Sequence, residues 1–197
     1  MKLRYRIIIA LLVLCTFLAG CEEENKTEKI LSGKHHITIE LKKYGKIKAE
    51  LDADAAPITV TNFIKLAKNG FYNGLTFHRI VDGFMIQGGD PLGNGRGGAD
   101  ETIKGEFFAN GVDNPISHVR GTISMARQGT DYDGASSQFF IVQEDSLQLD
   151  GQYAAFGQVT DGMDIVDKIC SDVTTIDDNG NVAPDDQPVI KKIRVVD

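Results

Sequence analysis

The sequence predicts a mainly β fold, an antiparallel barrel or sandwich that carries two α-helices. About eight short segments have strand-like composition and are separated by turn residues, which is typical of such folds. Helical spacing of apolar residues occurs in only two places, too few for an alternating βαβ architecture. A length of 197 residues, with 42% hydrophobic and 25% charged residues, fits one globular domain.

The predicted domain opens with a hairpin that is followed by a helix. Residues 36–41 and 46–51 alternate between apolar and polar side chains, with a Tyr-Gly pair between the two runs. Residues 54–69 change to helical spacing. Pro57 stands where the first turn of that helix would lie, and Gly70 stands where the helix would stop.

The rest of the chain adds further strands, a second helix and one long loop. The spacing of Met163, Val166 and Ile169 predicts the helix between Gly162 and Ser171. Residues 88–119 hold few apolar side chains and begin with a cluster of glycines, so we expect a functional loop with close backbone approaches. The remaining strand candidates are residues 76–81, 84–87, 121–127, 138–143, 154–159 and 189–196.

The first 20 residues are typical of a signal peptide. A basic start is followed by an apolar run over residues 7–19, shorter than the roughly 20 residues that a membrane-spanning helix needs. The run ends in Leu-Ala-Gly-Cys21, which resembles the lipobox of bacterial lipoproteins. That resemblance implies cleavage before Cys21 and attachment of a diacylglycerol to its thiol. We expect residues 1–20 to be the signal peptide, 21–35 the lipidated cysteine and a flexible stalk, and 36–197 the domain.

Charge and cysteine content limit the partners of the exported chain. Removal of residues 1–20 takes away three of 21 basic residues and no acidic one, which leaves 18 against 28 and a net charge of −10. This charge disfavours nucleic acid as a partner, and anionic lipid bound by charge alone. Acyl chains are therefore the expected membrane anchor, at the extracytoplasmic face of the cell membrane. Cys170 would remain as a lone, buried thiol without a disulfide partner.

The motifs of hydrolases and metalloenzymes are missing. No Gly-x-Ser-x-Gly elbow occurs, and the four histidines do not fall at metal-ligand spacings. Asp177, Asn179 and Asn181 imitate the start of a calcium loop, but Val182 stands where that loop needs glycine. Asn179-Gly180 is better interpreted as a hairpin turn. We expect neither a metal nor a cofactor.

One string, FHRIVDGFMIQGGD over residues 77–90, points to a site. Strand alternation places Arg79 on the same face as Phe77 and Val81. A positive charge among apolar neighbours is costly unless it is paired or faces a site. Together with Phe84, Met85 and Gln87, this arginine predicts a surface with one strong donor, apolar walls and an amide.

The string resembles the signature of the cyclophilin family of peptidyl-prolyl cis/trans isomerases. Three further blocks follow in the family's order: GTISMAR at 121–127, SQFFI at 137–141, and LDG at 149–151 with Phe156-Gly157 after it. The resemblance covers residues 36–196. It implies a closed eight-stranded antiparallel barrel with a helix over each end, and an isomerase that acts on proline-containing polypeptides, here exported proteins. A monomer is the expected state.

The resemblance also implies roles for individual residues. Arg79 would be the catalytic arginine, aided by Phe84 and Gln87. Two positions depart from the family's common residues, because Gln148 replaces a tryptophan and Tyr153 a histidine at the rim. We expect these changes to affect ligand preference more than turnover. The substrate-binding residues would be Met85, Ala126, Arg127, Gln138, Phe140, Leu149 and Tyr153.

Two alternatives stay open from the sequence. A domain of the same fold could grip proline-containing segments as a chaperone without significant turnover, although such domains tend to lose residues equivalent to Arg79, Phe84 and Gln87. A solute-binding lipoprotein would normally have two α/β domains, which the β pattern of this chain does not favour.

Overall fold

The computed structural model describes residues 29–197, which form one eight-stranded sheet with two α-helices. None of the helices in this part of the chain is long and apolar enough to cross a membrane. Short 3₁₀ turns lie at Phe108–Asn110, Leu147–Leu149 and Pro184–Asp186. The main elements are β1 Lys34–Leu41, β2 Gly45–Asp52, α1 Pro57–Lys68, β3 Thr76–Val81, β4 Met85–Asp90, β5 Thr122–Met125, β6 Phe139–Val142, β7 Ala155–Asp161, α2 Met163–Asp172 and β8 Ile190–Val195.

The sheet is antiparallel throughout and curled, but it does not close into a barrel. Its strand order is β3-β4-β6-β5-β7-β2-β1-β8, so β3 and β8 are the edges. Instead of a continuous ladder, these edges share an isolated bridge between Thr76 and Val189, where Phe77 N–H donates to Pro188 O at 2.9 Å and Ile190 N–H donates to Leu75 O at 2.8 Å. Pro188 has no N–H of its own to extend a ladder. The expectation of a closed barrel is therefore wrong, whereas that of eight antiparallel strands and two helices is confirmed.

The N-terminal boundary of the folded domain lies a few residues earlier than expected. Strand β1 begins at Lys34 rather than at residue 36. Leu31 N–H donates to Thr61 Oγ1 of α1 at 2.9 Å, and Gly33 N–H donates to the Asp54 carboxylate at 2.8 Å. The predicted stalk, through residue 35, thus includes residues that bond to the domain. The predicted signal peptide and Cys21 lie outside the described residues.

The core lies between one face of the sheet and the two helices, with α1 contributing Phe63 and α2 contributing Val166 and Ile169. Phe63 on α1 is fully buried, and its ring centroid lies 5.0–5.3 Å from those of Tyr72, Phe139 and Phe156. The start of α1 is capped from the long loop, because the buried Glu106 carboxylate accepts the Ile58 and Thr59 N–H groups at 3.0 and 2.8 Å. This cap ties the long loop to the core, since it satisfies N–H groups that a helix terminus leaves unpaired.

A β-bulge in β3 reverses the expected alternation at one point. Phe77 pairs with Gly88 and Arg79 pairs with Gln87, so His78 is an extra residue on its strand. Phe77 therefore packs in the core, fully buried, while Arg79 lies on the outer face. The prediction that Phe77 and Arg79 share a face is wrong, although Val81 does lie with Arg79.

Cys170 of α2 is a free, buried thiol, as the sequence indicated. Burial raises its pKa to about 12, with the neighbouring carboxylates of Asp82 and Asp167 contributing. The thiol is consequently protonated at neutral pH, and a thiol without thiolate character is a poor nucleophile.

Candidate functional site

The outer face of β4 and β6 carries a second apolar cluster, separate from the core. Met85, Phe140 and Val142 are buried in it, because alternation turns these side chains away from the core. Their neighbours on the opposite face, such as Ile86 and Ile141, belong to the core. The sheet therefore builds both the core and this outer apolar cluster from the same two strands.

A cleft with a volume of about 300 Å³ opens over this cluster. Nine of the ten residues predicted for substrate binding and catalysis line it, and the tenth, Gln138, bonds to one of them. The chain thus brings together residues that lie up to 74 positions apart in the sequence. The lining residues are Arg79, Phe84, Met85, Gln87, Ala126, Arg127, Phe140, Leu149 and Tyr153.

Arg79 is held in place on two sides. Its Nε donates to the carbonyl oxygen of Asn179 at 2.7 Å, and its Nη1 donates to Gln87 Oε1 at 3.3 Å. Nη1 also lies 3.8 Å from Met85 Sδ. Its Nη2 has no hydrogen-bond partner among the residues that the structure describes. One donor group of the guanidinium is therefore left for a ligand in the cleft.

Amide side chains continue this network away from the arginine. Gln87 Nε2 donates to Gln138 Oε1 at 2.9 Å, and Gln138 Nε2 donates to the carbonyl oxygen of Gly97 at 2.7 Å. Each amide has one defined orientation as a result. These hydrogen bonds connect Gln87 on β4, through Gln138 just before β6, to Gly97 in the glycine-rich loop at residues 88–98.

Half-burial affects the ionisation of Arg79. Burial lowers the pKa of Arg79 below its ordinary value, and the neighbouring Tyr153 and Asp177 act in the opposite direction. The guanidinium remains charged at neutral pH, because arginine deprotonates only far above it. A charge in a partly dry cleft acts more strongly on a bound ligand than the same charge in water.

The apolar wall of the cleft is supported from behind by a histidine. The Phe140 ring meets Tyr153 edge-on at 5.9 Å, and His118 stacks on Phe140 at 6.0 Å. His118 is itself fixed, since Nδ1 lies 2.8 Å from Asp150 Oδ1 and Nε2 lies 3.0 Å from Ser124 Oγ. Burial lowers the pKa of His118, although its contact with Asp150 opposes that shift. The Phe140 ring is thus backed by a histidine whose two ring nitrogens both have partners.

Arg127 closes the other end of the cleft. Its guanidinium carbon lies 4.7 Å from the centroid of Tyr153 and 5.0 Å from that of Tyr132. Nη1 donates to the carbonyl oxygen of Gly129 at 2.7 Å, and Nε donates to that of Gln152 at 3.1 Å. All these partners are neutral, so the positive charge of Arg127 is held without being cancelled.

A second cavity of about 300 Å³ adjoins the first. The two share Gln87, Ala126 and Arg127, and the glycine-rich loop with Arg96 forms the far wall. The sequence indicated a functional loop here but did not identify Arg96. It also missed the Asn179 carbonyl, which belongs to a hairpin turn that gave no sign of contact with Arg79.

Comparison with known proteins identifies the family of the whole domain. The family model for cyclophilin-type peptidyl-prolyl cis-trans isomerases matches residues 36–195. A peptidyl-prolyl cis-trans isomerase of Helicobacter pylori is 46% identical over 144 residues, which are 72% of this chain and 84% of that protein. Peptidyl-prolyl cis-trans isomerase B of Bacillus subtilis is 51% identical over 119 residues, 60% of this chain and 79% of that protein.

Solved structures agree with the sequence relatives. A cyclophilin-type peptidyl-prolyl cis-trans isomerase of Cryptosporidium parvum superposes with a TM-score of 0.73 at 30% identity, over 84% of this chain and 99% of that one. A second structure of that protein, determined in the presence of the dipeptide Ala-Pro, gives a TM-score of 0.72 over 82% of this chain and 99% of that one.

Proposed function

This chain belongs to the cyclophilin-type peptidyl-prolyl cis-trans isomerases, and from that premise we propose that it assists the folding of exported proteins at the outer face of the cell membrane. The observation that carries the assignment of the reaction centre is the fixed Arg79 guanidinium beside an apolar cleft. The roles given below to single residues are part of this proposal.

The reaction is a rotation about an amide bond. Resonance between the prolyl nitrogen and the carbonyl group creates a barrier of about 18–20 kcal/mol, and uncatalysed exchange takes tens to hundreds of seconds. No bond is broken, so no nucleophile or leaving group takes part. The protein must only bind the twisted form of the amide more strongly than either planar form.

Arg79 supplies that differential binding. In the twisted state the prolyl nitrogen regains its lone pair, and a guanidinium N–H can donate to it. Gln87 and the Asn179 carbonyl hold the guanidinium at 3.3 and 2.7 Å, so little reorganisation is needed when the lone pair forms. A 10⁵-fold acceleration corresponds to about 7 kcal/mol, which one preorganised charge together with orientation of the substrate can supply.

The apolar wall holds the proline ring. Phe84, Met85, Phe140 and Leu149 line the cleft and offer no hydrogen-bond donor in their side chains, which suits a pyrrolidine ring. Contact with these side chains also excludes water from the ring and from Arg79. The backbone of Ala126 and Arg127 and the Gln138 amide would pair with the rest of the peptide.

The reaction is tested with the full chain in nonionic detergent and a proline-containing tetrapeptide. Magnetisation-exchange NMR would show catalysed exchange between the cis and trans peaks at micromolar enzyme. A chain that binds the peptide, seen as shifted peaks, but leaves the exchange rate unchanged would be a binding module instead.

Attachment to the membrane rests on Cys21 and the lipobox around it. In cells grown with labelled palmitate, we expect the parent chain to carry the label and Cys21→Ala to lose it and to accumulate as the uncleaved precursor. Cys15→Ala, which changes a cysteine inside the apolar run, is the matched control and should keep the label. A labelled Cys21→Ala chain would show that the anchor is not at this residue.

A further inference from the structure

The arginines of the described region are distributed unevenly. Residues 29–197 contain five, and three of them, Arg79, Arg96 and Arg127, line the two adjoining cavities. No aspartate or glutamate lines either cavity, although the chain has 28 acidic residues and a net charge of −7. The two cavities together, called the groove below, are therefore a local concentration of positive charge on an acidic protein.

The two arginines outside the groove are paired with carboxylates. Arg120 contacts Asp167 through two bonds of 2.9 and 2.6 Å, and Arg194 Nε lies 2.9 Å from Glu40 Oε1. By contrast, the bonds of Arg79 and Arg127 run to neutral carbonyl, amide and thioether groups. The two arginines outside the groove are thus neutralised by an acid, whereas the hydrogen-bonded arginines inside it are not.

Arg96 is the least constrained of the three. Its side chain is exposed and makes no hydrogen bond or ion pair with any residue in the described part of the chain. Its backbone is fixed, because the buried Asp90 carboxylate accepts the Gly95 and Asn94 N–H groups at 2.6 and 3.0 Å. A defined backbone therefore presents a free guanidinium at the wall of the second cavity. The two acidic residues that follow next in the sequence, Asp100 and Glu101, are exposed and do not line that cavity.

From this charge pattern we propose that the enzyme prefers proline segments with an acidic side chain two or three residues from the proline. An extended peptide advances about 3.3 Å per residue, so a ring in the first cavity places such a side chain near the second. Arg96 and Arg127 would meet the carboxylate there, while Arg79 acts at the prolyl bond. The inference rests on the isomerase activity of the proposed function but not on its location in the cell.

The preference is measured with matched peptides that differ at one position. Glutamate, glutamine or lysine is placed two or three residues before or after the proline, and exchange is followed by NMR with the full chain in nonionic detergent, without a coupling protease. For at least one position we expect kcat/KM to be about threefold or more higher with glutamate than with glutamine, and lower still with lysine. The difference should shrink at about 0.5 M salt, which screens exposed charges.

Variants identify the arginine responsible. Arg96→Gln should bring the glutamate-to-glutamine ratio toward one, Arg96→Lys should restore much of it, and Arg96→Glu should favour the lysine peptide. Lys191→Gln removes the same charge at an exposed position on β8 outside the groove, and it should leave the ratio as in the parent. The ratio cancels any common loss of folded protein.

The outcomes distinguish failure of the proposed charge preference from failure of the isomerase activity. Equal turnover of all the peptides by an active parent would overturn the charge preference and leave the isomerase intact. A ratio that persists in Arg96→Gln and Arg96→Glu would also overturn the assignment to this wall. Absence of catalysed exchange with every peptide would instead contradict the isomerase activity itself.

Discussion

Arg79 is fixed by contacts that another cation cannot reproduce. Lysine at position 79 would keep the charge but could not reach the Asn179 carbonyl and Gln87 together, because its ammonium is a single point at the end of a flexible stem. Arg79→Ala removes the charge as well. We expect kcat/KM to fall by at least about 10²-fold in Arg79→Ala, the order measured when one preorganised donor is lost. Arg79→Lys should recover only a small part of this.

Both variants should remain folded, since Arg79 is half-buried on the outer face and takes no part in the core. Circular dichroism and thermal unfolding provide that control. Parental turnover in a folded Arg79→Ala chain would remove this residue from the mechanism. Parental turnover in Arg79→Lys would show that charge suffices without the two fixed contacts.

At the scale of elements, the turn at residues 177–181 does more than reverse the chain. The Asp177 carboxylate accepts the N–H groups of Asn179 and Asn181, each at 3.0 Å, and Gly180 O accepts the Ile80 N–H at 2.8 Å. This turn presents the Asn179 carbonyl to Arg79. It is therefore a positioning element for the arginine, which a turn motif in a sequence cannot reveal.

A substitution at Gly180 tests whether the turn positions Arg79. The φ of Gly180 is +83°, and a Cβ there would meet the Ile80 carbonyl oxygen and the Val81 side chain. Gly180→Ala should displace the turn and lower kcat/KM several-fold, up to about tenfold, which corresponds to one hydrogen bond to a charged group. Gly33→Ala is the matched control, because Gly33 has a similar φ of +77° with open space around it.

A double mutant separates positioning from a general loss of structure. If Gly180→Ala acts through Arg79, the two substitutions are non-additive, and adding Gly180→Ala to Arg79→Ala costs little further activity. Full additivity of the two effects would mean that the turn acts by another route.

The glycine-rich loop depends on one buried carboxylate. Burial alone would raise the pKa of Asp90, but backbone N–H groups of Leu92, Asn94, Gly95 and Gly97 outweigh it and hold the pKa below the ordinary value of 3.8. The ionised form is thus the one that the folded loop binds. Its stabilisation is complete above the unfolded-state pKa and is lost as the pH falls through the folded-state pKa.

Asp90→Asn tests this dependence. At pH 7 we expect its free energy of unfolding to be lower than that of the parent by about 1.5–3 kcal/mol, the range for hydrogen bonds to a charged group. The gap should stay constant between about pH 5 and 7 and narrow below about pH 4, as the parent carboxylate takes up a proton. Urea unfolding at several pH values measures it. Asp100→Asn, at an exposed residue of the same loop, should differ from the parent by less than about 0.5 kcal/mol. A gap that widens in acid would contradict the argument.

For the whole molecule, the sequence predicted local structure better than it predicted long-range contacts. The alternation of apolar and polar residues was sufficient to predict strands β1 and β2, because Ile37, Ile39 and Ile47 all face one buried layer. The bulge at His78 left no compositional mark, and it moved Phe77 to the opposite face. The Glu106 cap of α1 and the Asn179 contact of Arg79 join residues 47 and 100 positions apart, so only the folded chain shows them.

The candidate site was predicted better than the closure of the sheet. Its residues fall in short blocks that resemble the family signature, and strands β4 and β6 place Met85, Gln87 and Phe140 on one face. Closure of the sheet instead depends on how the edge strands β3 and β8 approach each other. At that point Pro188 has no N–H group to donate to a ladder between them. No pattern within either strand determines that approach.

The pairing of β1 with β8 has a practical consequence for the order of the chain. Val196 N–H donates to His36 O at 2.8 Å, and His36 N–H donates to the Asp197 carboxylate at 2.7 Å, so the first and last segments of the domain run side by side. A short glycine linker could join them, and new termini could be opened in the exposed turn at Lys42 and Lys43. Such a circular permutant would retain the same sheet and the same cleft, and a fluorescent protein fused at the new ends would emerge at the opposite end of β1 from Lys34.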